Sequence, residues 1–249
     1  MSHISLNSVL GMLGLLLNGG LVVVLLGKGS LRRFPFFACY AGFTLFSNAF
    51  LYLLKAKSLA FAYFYSYWIC EAVGLILGFA VVYEVFGRLL TPYPALRRLA
   101  LLIFQWSILV LVLMAAAVLY AQSTADHDRV STAVMVLEEA TRIVEVGLLM
   151  FLFLFSTAFG LHWRQCVFGM ALGLGIFATA ELVGITMRNF RGLPFHHYFE
   201  VVRSLAFNTS LFVWAGYLLM PEKEASAADS ANHGQLEQWN QALTEFIYQ

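Results

Sequence analysis

The chain has 249 residues, 61% of them hydrophobic and 12% charged, with a mean hydropathy of +0.78 and a formal net charge of +1. Soluble domains carry about 25% charged residues, so this composition excludes an ordinary soluble domain and reads as a polytopic membrane protein. The near-neutral charge, with no large basic patch, excludes a nucleic-acid binder.

The opening Met1-Ser2-His3-Ile4-Ser5-Leu6-Asn7 has no basic n-region, so the first apolar run is expected to act as an uncleaved anchor rather than a signal peptide. A span needs roughly 20 apolar residues. Seven runs qualify, at 6–27, 35–54, 60–87, 99–121, 133–160, 167–187 and 195–220. The short connections between them predict antiparallel neighbours in one all-α, seven-transmembrane-helix bundle over residues 1–220. Lys and Arg in the loops are biased towards the side holding Lys28, Arg32, Arg33, Arg88, Arg97, Arg98, Arg164 and Lys223. That bias places the N-terminus outside and the C-terminus in the cytoplasm.

In the second run, Phe36, Tyr40, Phe43, Ser47 and Phe50 form a stripe that reads as core packing. The third run opens with Tyr63, Tyr65, Tyr67 and Trp68, which fit an interfacial belt, and Trp163 and Trp214 fit the opposite interface. Glu84 has Arg88 one helical turn on and is expected to pair with it. Cys39, Cys70 and Cys166 share no metal spacing and are expected to be buried free thiols. Gly169 with Gly173, and Ala180 with Gly184, are small-xxx-small pairs that predict close packing inside the bundle.

The fifth run carries the densest polar signal: Glu138, Glu139, Arg142 and Glu145 fall within eight residues. Glu138, Arg142 and Glu145 share a helical face at i, i+4 and i+7. Charges in a spanning helix cost about 2.5–3.5 kcal/mol each on insertion scales, so they face protein and mark function. His196, Glu200 and Arg203 repeat the spacing in the seventh run, while Glu71 and Glu181 lie in the third and sixth. At about 1.5 Å of rise per residue, all of these fall in the outer half of the membrane. One polar pocket is therefore expected there, formed by Glu71, Glu138, Arg142, Glu145, Glu181, His196, Glu200 and Arg203 with the aromatic Tyr67 and Trp68. Counting Glu139, six acids face two arginines, and uncompensated buried carboxylates are costly. Protonated glutamates, a cationic histidine, or a bound cation (a metal or a charged ligand) would each restore the balance.

No lysine in the last run can hold retinal, and no two histidines share a depth as a bis-histidine haem needs. No phosphate loop, His-Glu-x-x-His or Gly-x-Ser-x-Gly motif is present. His196 or His197 with Glu200, Glu138 and Glu181 is a weak metal-ligand pattern, and neither metal nor cofactor is specified. The tail over 221–249 is polar and then amphipathic across 235–249, where Leu236, Trp239, Leu243, Phe246 and Ile247 form a stripe suited to docking a protein partner or the membrane surface.

At Tyr65-Ser66-Tyr67-Trp68-Ile69-Cys70-Glu71 and Thr91-Pro92-Tyr93-Pro94-Ala95-Leu96-Arg97-Arg98 the chain resembles uncharacterised seven-helix bacterial integral membrane proteins. Its layout is similar to seven-helix input domains of bacterial sensor proteins, which continue into a kinase or cyclase domain where this chain has a short tail. The resemblance implies a bacterial inner-membrane location. The expectation is a sensor or receptor-like module that binds a small ligand or cation and signals to a partner. An accessory subunit, a proton- or cation-coupled carrier and a metal-dependent enzyme follow in that order.

Overall fold

The computed structural model describes residues 6–57, 60–91, 94–121, 128–158, 165–191 and 196–220. The amphipathic stripe over 235–249 and Trp163 lie outside these residues, as do the side chains of His196 and His197. The described part is all helical: α1 (Leu6–Gly27), α2 (Ser30–Arg33), α3 (Pro35–Ala56), α4 (Ala60–Leu89), α5 (Pro94–Ala121), α6 (Asp128–Ala158), α7 (Gln165–Arg191) and α8 (His196–Leu219). The seven long helices coincide with the seven apolar runs. Four of them, α1, α3, α4 and α7, contain segments long and apolar enough to cross a membrane. α5 contributes a shorter apolar stretch over Ala100–Met114, and the charges of α6 lower its mean hydropathy.

The single-turn α2 is an addition to the expected elements. It follows a helix stop in which Lys28 N–H donates to Val24 O and Gly29 N–H to Leu26 O. Gly29 has a φ of 64°, the left-handed conformation that glycine adopts without steric cost at a helix end. α3 then starts with Pro35 at its first position, where a missing N–H costs nothing. A first-turn amide without an acceptor inside the helix is met from a distance: Phe37 N–H donates to Glu84 Oε2 at 3.0 Å. Glu84 also pairs with Arg88 at 3.6 Å, as its spacing predicts. One buried carboxylate thus caps α3 from α4, near the positive end of the α3 dipole.

α8 packs on α7 and α1, α3 packs on α1 and α4, and α4 also touches α5, α6 and α7. Helices α1, α3, α4, α7 and α8 therefore close a ring. α1 and α8 run parallel: Asn208 Nδ2 donates to Leu10 O at 3.1 Å near one end, and Lys28 Nζ to Leu218 O at 2.7 Å at the other. The α7–α8 contact is the tightest, and the small-xxx-small pair explains it. A Cβ at Gly173 would overlap the Trp214 indole, and one at Gly169 would overlap the Tyr217 side chain. Trp214 Nε1–H donates to Met170 O at 3.3 Å across this seam.

Trp214 is therefore core and not an interfacial residue, being only 2% exposed. Phe37 and Tyr40 stand edge-on to it, with centroids 5.2 and 6.0 Å away. With Leu21, Leu25, Val81, Val82 and Val85 they fill the ring at one end. All three cysteines are free, but Cys39 is exposed and Cys70 half-buried, so only Cys166 meets the expectation of a buried thiol.

Candidate functional site

The other end of the ring is hollow. A cavity of about 790 Å³ lies where α1, α4 and α8 begin and α3 finishes. Lys55, Tyr63 and Glu200 stand in its mouth, Glu71 and Arg203 partway down, and Tyr40 and Arg142 at its floor. The aromatic stripe of α3 splits: Tyr40, Phe43 and Ser47 line the cavity, while Phe36 and Phe50 are exposed on the outside. Tyr67, expected in the pocket, lines it, and so does Tyr63, expected in an interfacial belt, with their rings stacked 6.3 Å apart. Trp68 is not in the wall. It stands edge-on to Tyr67 at 5.4 Å and supports that ring from behind.

The charges in the apolar runs assemble into a ladder over four helices. Arg142 Nη1 donates to Glu145 Oε2 at 2.7 Å within α6. Arg142 Nη2 pairs with Glu181 Oε2 on α7. Glu181 Oε1 pairs in turn with Arg203 Nε of α8 at 2.7 Å. Arg203 Nη2 donates to Glu71 Oε1 of α4 at 2.8 Å, and its Nη1 donates to the Tyr67 hydroxyl at 3.3 Å. The two contacts on Glu181 are ion pairs by distance without the angles of directed hydrogen bonds. Arg142 also lies 5.3 Å from the Phe177 ring centroid, on whose face its planar cation is attracted.

Both arginines converge on Glu181, which lies between them on α7 and is fully buried. Gly78 makes room for the far end of the ladder, since a Cβ there would stand 3.4 Å from Glu145 Oε1. Glu200, expected on the same face as Arg203, is exposed at the cavity mouth. The side chain of His196 lies outside the described residues, so its place in the pocket has no structural account.

Glu138 is the surplus acid. It is 7% exposed and has no ion-pair partner among the described residues, yet its carboxylate oxygen lies within 4.8 Å of oxygens on both Glu71 and Glu181. Within the buried cluster, the carboxylates of Glu71, Glu138, Glu145 and Glu181 outnumber the guanidiniums of Arg142 and Arg203 by two. Three converging oxygens are also the group among the described residues that fits a metal ion. Arg203 already bridges two of the three, so an ion placed there competes with its guanidinium.

The sequence reading missed three polar groups. Asn208 lies in the cavity wall with Nδ2 donating to Leu10 O and, at 2.8 Å, to Ser204 O. A Cβ at Gly14 would sit 3.3 Å from its Oδ1, so the glycine lets α1 and α8 meet at this amide. Asn18 is 1% exposed with no hydrogen-bond partner for either side-chain atom among the described residues. Tyr40 brings a hydroxyl-bearing ring to the floor. An amide inside an apolar run was the available signal for both asparagines. No protein-family model, curated protein or solved structure matches the chain.

Proposed function

We propose that this protein is a receptor-like membrane module. In this reading all seven long helices cross the bilayer, with the N-terminus outside and the C-terminus in the cytoplasm, in a bacterial inner membrane. A small organic ligand enters the cavity from the outer face, and its occupancy is passed to a partner through residues 235–249. The observation that carries the reading is a chamber of about 790 Å³ with a charged ladder in its wall and a packed aromatic floor. That volume is within the range of small-molecule sites. The ladder also favours a second reading, an accessory subunit, because it joins α4, α6, α7 and α8 whether or not anything binds.

Native mass spectrometry of the full-length protein released from its own membrane tests the proposal, compared with a Ser204→Trp variant that fills the cavity from α8. The expected result is an organic molecule bound one-to-one to the wild type and missing from the folded variant. A wild type that carries nothing the variant lacks, and whose partners are unchanged by deleting 235–249, refutes the receptor reading.

A further inference from the structure

We infer that the ligand of this cavity is an organic cation, a protonated amine or quaternary ammonium carried on an apolar body. The inference rests on the cavity reading above and adds the chemical class of the occupant. By simple count the wall looks slightly basic, with Lys55, Arg142 and Arg203 against Glu71 and Glu200. The pairing reverses that count. Both arginines are spent on carboxylates, Arg142 on Glu145 and Glu181, Arg203 on Glu181 and Glu71. Glu138 stands beside Glu71 with no arginine of its own among the described residues. Lys55 is exposed in the mouth, about two helical turns above the level of Glu71, and its charge is screened by solvent over about 8 Å.

At the depth of Glu71 the described cluster therefore holds two more carboxyls than guanidiniums, so the charge it can carry into the cavity is negative. Ionising the surplus acids in a low-dielectric interior is costly unless something positive joins them. The wall beside Glu71 is suited to that: Tyr63 and Tyr67 offer stacked ring faces, which attract cations electrostatically. Opposite them, Leu10, Leu15, Phe43 and Phe207 offer apolar surface for the rest of the molecule.

Cys70 makes the test direct, because this thiol neighbours Glu71 in the cavity wall. Full-length wild-type protein is treated with cationic trimethylammonium-ethyl, anionic sulfonato-ethyl and neutral methyl methanethiosulfonate. Labelling of Cys70 is followed by peptide mass spectrometry, and each rate is divided by that reagent's rate with a small free thiol. The normalised rate is expected to be about tenfold or more higher for the cationic than for the anionic reagent, as a focused field of one sign produces. Glu138→Gln, which keeps the shape of the surplus acid, is expected to lower that preference several-fold. Octyltrimethylammonium is expected to protect Cys70 at concentrations where octanesulfonate does not. Equal or reversed charge preference with ready labelling by the neutral reagent overturns the cation assignment and leaves the cavity standing. Failure of all three reagents to reach Cys70 in folded protein overturns the open cavity, and the inference with it.

Discussion

Removing Arg142 is the sharpest perturbation of the ladder. The residue is 5% exposed and holds two carboxylates, Glu145 and Glu181. Arg142→Met keeps most of the side-chain volume and deletes the charge. Glu181 retains Arg203, but Glu145, itself 1% exposed, is left with no ion-pair partner among the described residues. Breaking a buried pair from one side costs about 3–5 kcal/mol, because the remaining charge stays buried. Loss of the guanidinium over Phe177 adds about 0.5–2 kcal/mol. The expected destabilisation is therefore about 3.5–7 kcal/mol. Adding Glu145→Gln to Arg142→Met removes the orphaned charge and is expected to restore about 2–3 kcal/mol, the size of coupling found between directly paired residues. Reversible unfolding in mixed micelles, followed by far-ultraviolet circular dichroism, measures both. A single variant within about 1 kcal/mol of wild type, or a double variant no better than the single one, refutes the ladder as drawn.

Two further expectations concern the frame around the cavity. Gly173→Ala forces a methyl group into the Trp214 indole, so α7 and α8 must separate. Overpacking of this kind costs about 1–3 kcal/mol, and Gly173→Ala with Trp214→Phe should recover part of it in the same unfolding assay. Glu84→Ala strips the α3 amide of its acceptor and should cost about 0.5–2 kcal/mol, the range for lost helix caps, whereas Glu84→Gln keeps an acceptor oxygen and should cost clearly less. Equal losses for the two Glu84 variants would show that charge, not the hydrogen bond, holds the helix start.

The long helices were legible as extended apolar runs whose ends fall at Gly, Pro and charged clusters, four of them long and apolar enough to cross a membrane. α2 was not, since four residues are too few to show a period. Glu71, Arg142, Glu145, Glu181 and Arg203 were legible as charges that no lipid-facing position tolerates, and they do come together. Their pairing was not legible. Helix periodicity gives the face a residue is on, but which helix stands opposite depends on packing order, and α7 separates the two arginine-bearing helices at Glu181. The same limit put Trp68 in the pocket wall and left Tyr63 out of it, while Tyr67 was placed there rightly: rings near a helix start look alike in sequence whether they meet headgroups or turn into a chamber. Glu200 kept its position along α8 but not its depth of burial, because the α8 start borders the open mouth.

The aromatic floor has a consequence for timing. In the receptor reading proposed here, the cavity exchanges its contents through its mouth, so its fill level follows the composition of the compartment that the mouth faces. No gradient across the bilayer would drive material through it while Phe37, Tyr40 and Trp214 stay packed. What enters would leave past Lys55 and Glu200. On that reading, the interval between entry and departure sets how quickly the protein registers a fall in concentration outside.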